Sequence, residues 1–437
     1  MSYDIILGRN ESDKKLFGKD GLIYIGKGFV KMGQYNSLSN KLYLDVARSH
    51  VVLVAGKRGS GKSYTLGVLT EEISSLPKEI SQNIASLIFD TMGIYWTMKY
   101  ENEKDKSLLQ DWDLKPKNLP VKIFVPFGHY SNFIDNGIPV DESFALDPTE
   151  LDPEDWIITF GLNLINPVSV LIERTLINLK ENKKNFTIKN ILEDLEKDKR
   201  SEKETINAAV GLFEAAETWG IFAREKMKPT KTKDLIKGGI TSILDLSAYN
   251  SIGAFNVRAL VISLLSRKIF QERMNSRRIE EVRSISRGLD YSSFTEKKEY
   301  PLVWLFIDEA HEFLPKDEKI ISTDALIQIL REGRQPGISI VLATQQPGKI
   351  HTDVMTQADI VLAHRVTSKP DIEALNNMMQ SYLTDTIQGY MNDLPGLKGS
   401  AIILDDNSER IYPMRMRPRF TWHGGEAPSA LYEKKDL

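Results

Sequence analysis

Two short segments of this 437-residue chain carry residue types at spacings that suit phosphate chemistry. Residues Gly56–Ser63 read GKRGSGKS, which satisfies G-x-x-x-x-G-K-[ST]. The apolar run VVLVA precedes it and the helix-compatible run YTLGVLTEEI follows, so a strand enters the loop and a helix leaves it. Gly56, Gly59 and Gly61, with Ser60 between them, let the backbone N–H groups turn inward. The helix beginning near Tyr64 adds partial positive charge, and Tyr64 is counted with the loop residues as contacting the nucleotide. Bound there, a nucleoside triphosphate such as ATP would meet Lys62 at its β- and γ-phosphates, while Ser63 would hold Mg²⁺ through its hydroxyl. A Gly-rich turn without a ligand is the alternative, and the intact flanks argue against it.

The second segment, Leu302–His311, reads LVWLFIDEAH, an apolar strand ending in two adjacent carboxylates. Asp308 suits a strand-end Mg²⁺ position, and Glu309 suits a general base that polarises water. The same pair also suits capping of a following helix. His311 and Glu312 beside Asp308 suggest a metal set, but no second His stands at i+4, so zinc is not expected. A third segment, SIVLATQQPG, brings Gln345 to a strand end, where it either senses a γ-phosphate or stands solvated. Asp90 has a similar placement. Just upstream, ILREGRQPG carries Arg331 and Arg334, of which a guanidinium acting on a transferring phosphoryl group is one use and a surface ion pair the other.

The elements that must position these residues follow from pattern. Residues 1–45 contain short alternating pieces, Asp4–Leu7, Leu22–Ile25, Phe29–Met32 and Lys41–Leu44, read as a small N-terminal β subdomain. Apolar runs then alternate with helical stretches: Val51–Ala55, a helix from Lys62, Ala85–Asp90 and Val121–Pro126. That rhythm predicts an α/β core with a mostly parallel sheet and helices on both faces. Strand signal fades over residues 129–235, read as a helical insertion. It returns at Gly239–Leu246, followed by a long helix from Phe255 to Arg283 and by Leu302–Asp308, Ser339–Thr344 and Asp359–His364. The core is thus 46–128 plus 236–412. Tyr291–Tyr300 reads as a polar surface loop, and 413–437 as an Arg- and Pro-rich tail. The stretch RKIFQERMNSRR suits either a solvated helix face or the lining of a channel.

Composition bounds the alternatives. With 57 Lys+Arg against 60 Asp+Glu the formal charge is −3, so any nucleic acid must be met by a local basic groove. No cysteine is present, which excludes disulfides, thiolate nucleophiles and Cys-ligated metals. The N-terminus lacks a secretory h-region and no apolar run approaches the ~20 residues that span a bilayer, so a cytoplasmic protein without membrane contact is expected.

Taken together, VVLVAGKRGSGKS, the Asp90 strand followed by TMGIYW, LFIDEAHEFLPK, ILREGRQPGISIVLATQQP and the closing RPRFTWHGG resemble the HerA-like branch of the FtsK/HerA superfamily of DNA translocases. The resemblance covers roughly residues 20–425. It implies a RecA-like P-loop ATPase core, a small N-terminal β-barrel, a helical insertion and a homo-hexameric ring that moves double-stranded DNA through its pore. By position it makes Lys62 and Ser63 the phosphate and magnesium residues, Asp308 the Walker B aspartate, Glu309 the catalytic glutamate and Gln345 the sensor. Lys316 and Arg334 fall on basic positions that act at subunit boundaries, with Arg365 a further candidate. The 45 N-terminal residues are short for the family's barrel. The implied function is an ATP-dependent DNA translocase or helicase, acting with a NurA-type nuclease in DNA end processing and repair. The alternatives are an ATP-gated scaffold for an anti-phage effector, or a packaging or conjugation ATPase.

Overall fold

The computed structural model describes residues 3–32, 35–183, 185–250, 255–287, 298–379 and 387–426. Among these residues thirteen strands join in one sheet. In chain order they are β1 (Ile5–Leu7), β2 (Leu22–Met32), β3 (Tyr35–Asp45), β4 (Val51–Ala55), β5 (Ile84–Asp90), β6 (Lys122–Pro126), β7 (Glu142–Phe144), β8 (Thr241–Asp245), β9 (Leu302–Ile307), β10 (Ile338–Thr344), β11 (Ile360–His364), β12 (Ser400–Asp405) and β13 (Arg410–Met416). The spatial order is β1-β3-β2-β13-β12-β11-β4-β10-β9-β5-β8-β6-β7. The run from β7 to β11 is parallel, and β11, β12, β13, β2 and β3 continue it as antiparallel neighbours.

The central strands are apolar at nearly every position because both faces of the sheet are covered. Val52, Val54, Phe306, Val341 and Ala343 face one core with Leu66, Val68 and Leu69 of the helix Lys62–Ser74. Leu53, Leu305, Ile307 and Leu342 face the other, with Val257, Leu260 and Leu264 of the 33-residue helix Phe255–Arg287. Each such valine, leucine, isoleucine or phenylalanine contributes about 1.5–3 kcal/mol on burial. Parallel strands end on one rim, so the residues after Ala55, Asp90, Asp245, Ile307, Thr344 and His364 gather there. Ala55 is in register with both Thr344 and Ala363, and Asp90 with Asp245.

Several local expectations change. Residues Glu11–Phe17 form a helix capped by Asn10, where no helix is expected. Leu22–Ile25 and Phe29–Met32 are one strand, whose register shifts at Tyr24/Gly26 and Lys27/Phe29 break the alternation that separates them in sequence. The resulting β2–β3 hairpin pairs with β13 and so extends the core sheet. Within 129–235 the helices Pro153–Thr159, Pro167–Asn182, Ile188–Glu196 and Lys203–Thr218 pack around Trp156, Phe213 and Phe222. The edge strand β7 is an addition to it, three residues long with a single buried side chain, Phe144.

The residues after Pro413 are no surface tail as far as the described chain runs. β13 carries them into the sheet, and Arg417, Arg419 and Thr421 are buried because Glu71 and Glu72 of the helix Lys62–Ser74 receive them. The long helix runs four residues past Arg283. The loop Tyr291–Tyr300 lies mostly outside the described residues, and its last member, Tyr300, is buried. No helix among the described residues is long and apolar enough to cross a membrane.

Candidate functional site

The loop after β4 closes on itself before the helix Lys62–Ser74 begins. Gly61 takes φ 112° at the helix N-cap, a left-handed conformation that a side chain would strain. A Cβ at Gly56 would stand 2.3 Å from Ser60 Oγ and 2.8 Å from His364 Cβ, so the loop tolerates no side chain there. Its floor is fixed by Gly56 N–H donating to the Thr344 carbonyl and Lys57 N–H to the Arg365 carbonyl, both at 3.2 Å. His364 Nδ1 lies 3.2 Å from the Ser400 carbonyl, which can only accept, so Nε2 accepts from the Thr65 hydroxyl at 2.8 Å. Burial holds the ring's pKa down to about 4 and therefore keeps it neutral.

Lys62 is buried, 5% exposed, and its ammonium donates to the Lys57 carbonyl at 3.3 Å. Burial lowers its pKa, while the charges of Glu309 and Asp308 pull it back up. Three ammonium protons with one long acceptor among the described residues, inside a buried glycine loop, fit an anionic ligand. Tyr64, next along, points away from the loop. Its hydroxyl accepts the Arg419 N–H at 2.6 Å.

Opposite the loop stand the carboxylates that follow β9. Asp308 Oδ2 accepts from the Ser63 hydroxyl at 2.5 Å and Oδ1 from the Glu309 N–H at 2.9 Å. Glu309 itself occupies the left-handed region at φ 50°, which costs a residue with a side chain about 1–3 kcal/mol. The turn delivers one of its oxygens, Oε1, to the Gln345 side-chain amide, and leaves Oε2 buried without a hydrogen-bond partner among the described residues. Burial raises the Glu309 carboxyl, Gln345 opposes the shift, Asp308 adds to it and Lys62 opposes it. His311 Nδ1 meets the Thr344 hydroxyl at 3.2 Å. Gly56–Ser63, Asp308, Glu309 and Gln345 thus converge, from β4, β9 and the strand β10 between them.

Other expected residues stand apart. Asp90 accepts from the N–H groups of Met92, Gly93 and Tyr95 at 3.2, 2.7 and 2.8 Å, so it closes its own turn. Burial, reinforced by the neighbouring Asp245, raises its pKa. Arg331 pairs with Asp353 at 2.7 Å, whereas the exposed Arg334 has no ion pair among the described residues. Lys316 is exposed on the loop after the carboxylates, its N–H donating to the Lys349 carbonyl at 2.9 Å. Arg365 reaches the Leu394 carbonyl at 3.4 Å. In RKIFQERMNSRR, Arg273 is neither solvated nor channel-lining. It is fully buried and donates to the carbonyls of Pro336 and Tyr300, each at 2.7 Å. Tyr95 and His364, both at the rim, carry no mark in the sequence beyond standing near the end of an apolar strand.

A strand, a glycine cradle and a helix on the rim of a mostly parallel sheet, with a strand-end aspartate facing the cradle's serine, define a P-loop NTPase of RecA-like fold. Solved structures share the fold. VirB4 of Thermoanaerobacter pseudethanolicus superposes with a TM-score of 0.54 at 13% identity, covering 91% of this chain and 96% of that one. The bacterial conjugative coupling protein TrwBdeltaN70 gives 0.51 at 12%, covering 86% and 87%. The family model "Helicase HerA, central domain" matches residues 29–269, more than half of the chain, which therefore belongs to that family. A model for "Zonular occludens toxin (Zot)" matches residues 222–370. Relatives include the DNA double-strand break repair helicases HerA of Pyrococcus furiosus, 25% identical over 39% of this chain, and of Saccharolobus solfataricus, 21% identical over 88%. The matched regions span 31% and 65% of those two proteins, less than two thirds of either.

Proposed function

We propose that this chain is an ATP-driven motor that moves double-stranded DNA, and that it works as a ring. The observation that carries the ATP site is the buried, under-partnered Lys62 ammonium in a glycine cradle, facing a serine and aspartate already in contact. Lys62 neutralises β- and γ-phosphate charge, and the loop N–H groups orient the phosphate chain. Ser63 and Asp308 would hold Mg²⁺, which supplies charge neutralisation at the phosphates. Glu309 takes a proton from the attacking water on Oε2, because Gln345 occupies the other oxygen and fixes the carboxylate's direction. Arg334 and Lys316 are exposed and pair with no carboxylate among the described residues, which supports their use on the nucleotide of a neighbouring copy.

The names of the relatives support duplex DNA as the substrate and end repair as the setting. We extend the reading to a hexamer, a nuclease partner and a cytoplasmic location. In this reading residues 46–128 and 236–412 are the motor, the strands of residues 1–45 and β13 extend its sheet, and residues 129–235 are an accessory part. ATP turnover should rise when duplex DNA is added. Glu309→Gln should keep ATP binding and lose turnover by roughly 10²–10⁴. Turnover indifferent to DNA would leave the ATP-gated scaffold in place of the motor, and normal turnover in Glu309→Gln would remove Glu309 from the chemistry.

A further inference from the structure

The Tyr95 hydroxyl has no role in the reading above, yet it lies at the junction of the loop and the β9 carboxylate. The residue is 1% exposed. Its oxygen is 3.3 Å from Asp308 Oδ2 and 3.4 Å from the Ser63 carbonyl oxygen. A carboxylate and a carbonyl only accept, so the single phenolic proton is shared between them. Asp308 Oδ2 accepts a second proton, from the Ser63 hydroxyl. Ser63 is the group that the proposed Mg²⁺ site would claim. Among the described residues, Tyr95 is then the side-chain donor left on that oxygen.

The ring is held in place from behind. Asp90 receives three N–H groups of the turn, including that of Tyr95 itself. Gly93 within the turn has φ 68°, and a Cβ there would stand 2.7 Å from Ser247 Oγ. The Ser247 N–H donates to Asp245 at 2.9 Å, and the Leu246 N–H to the Asp90 carbonyl at 2.8 Å. Two adjacent strand ends, β5 and β8, therefore brace one turn whose far side presents a single hydroxyl to Asp308.

We propose that Tyr95 is a positioning residue for the metal-binding carboxylate, its hydroxyl holding Asp308 in the orientation that metal binding needs. The proposal rests on the reading of this rim as an ATP–Mg²⁺ site. A bond of 3.3 Å to a charged acceptor is longer than ideal, so its loss is expected to weaken metal binding about fivefold to tenfold. The test uses the full chain, with Mn²⁺ in place of Mg²⁺. Free Mn²⁺ is counted by electron paramagnetic resonance in the presence of ADP, and ADP affinity is measured separately in EDTA.

Tyr95→Phe should weaken Mn²⁺ by that factor and leave ADP affinity in EDTA within about twofold. 4-Aminophenylalanine at the same position keeps the ring and a donor, and should restore Mn²⁺ binding. Unchanged Mn²⁺ affinity in Tyr95→Phe overturns the proposal, as does a loss that the amino analogue fails to restore. An equal loss of ADP affinity without metal overturns it too, because the residue would then be shaping the loop as a whole. If the unaltered chain binds neither ADP nor Mn²⁺, the reading of the rim as a nucleotide site falls instead.

Discussion

The helix Lys62–Ser74 has buried charge at both ends, and the two ends use it differently. Near its C-terminal end Glu71 is fully buried and receives Arg417 at 2.8 Å and Arg419 at 3.2 Å, together with the N–H groups of Phe420 and Thr421. Glu72 beside it receives Arg417 at 2.8 Å. Among the described residues the Lys62 ammonium at the N-terminal end has one long carbonyl contact, and across from it Glu309 keeps an oxygen without a hydrogen bond, His311 Nδ1 standing 3.6 Å away. A similar contrast between paired and unpaired charge holds on the surface, where Arg331 pairs with Asp353 and Arg334 has no ion pair among the described residues. Paired buried charge fixes a seam between distant parts of the chain. In the reading proposed above, the charge left short of partners at the loop is what a nucleotide would meet.

The sharpest way to break that distinction is Arg334→Ala. If the unpaired guanidinium acts on a neighbouring copy's phosphate, ATP turnover should fall by about 10³–10⁵ with nucleotide affinity nearly unchanged. Mixing Arg334→Ala with Glu309→Gln chains should then recover part of the turnover, since some boundaries pair an intact Glu309 with an intact Arg334. No recovery assigns the arginine to its own subunit, and loss of stability without loss of turnover returns it to the paired class.

Next in size is Glu71→Ala. Removing one partner of a buried cluster strands Arg417 and Arg419 and should cost about 3–5 kcal/mol of stability. Urea unfolding of the nucleotide-free chain measures it, and a cost below about 1 kcal/mol would show that the seam is held by packing alone.

The smallest effect concerns His50, on the strand side of the N-terminal hairpin. Burial works against its charge, but the hydrogen bond to Asp359 at 2.6 Å and the Asp45 carboxylate 3.6 Å from Nε2 outweigh it and hold the ring's pKa up to about 9. Arg9 pairs with Asp45 on the far side, and Asp405 lies close by. A raised folded pKa stabilises fully below the unfolded value near 6.5, and that contribution is lost as pH rises through about 9. The unfolding free energy from urea titrations should therefore fall between pH 6 and pH 10, by on the order of 2–3 kcal/mol, and His50→Gln should flatten most of that difference.

What the sequence discloses follows the same division. The cradle and the β9 carboxylates are legible because each is a contiguous run whose neighbours also carry the pattern: VVLVA before the glycines, LVWLFI before Asp308. Arg417, Arg419 and Arg273 are illegible because a charged residue reads as solvated unless its partner is in view. Glu71 stands in another element hundreds of residues away, and the carbonyls that satisfy Arg273 belong to a loop and a turn. Tyr95 is hidden differently. Its position depends on Asp90 gathering three N–H groups, a geometry that no residue type announces. The β2 strand looks like two because its bulges interrupt the alternation on which strand reading depends.

The pairing of β2 with β13 also sets a schedule. Gly28 and its register partner Met414 are roughly 390 residues apart, and a Cβ at Gly26 would stand 2.2 Å from the Arg415 carbonyl oxygen, so this seam closes only with the right strand. At typical ribosomal rates the hairpin leaves the exit tunnel about 20–80 s before the strand that covers its edge exists. Throughout that interval it presents open backbone donors and acceptors to every other nascent chain nearby, and two growing copies on one messenger would be the first to find each other.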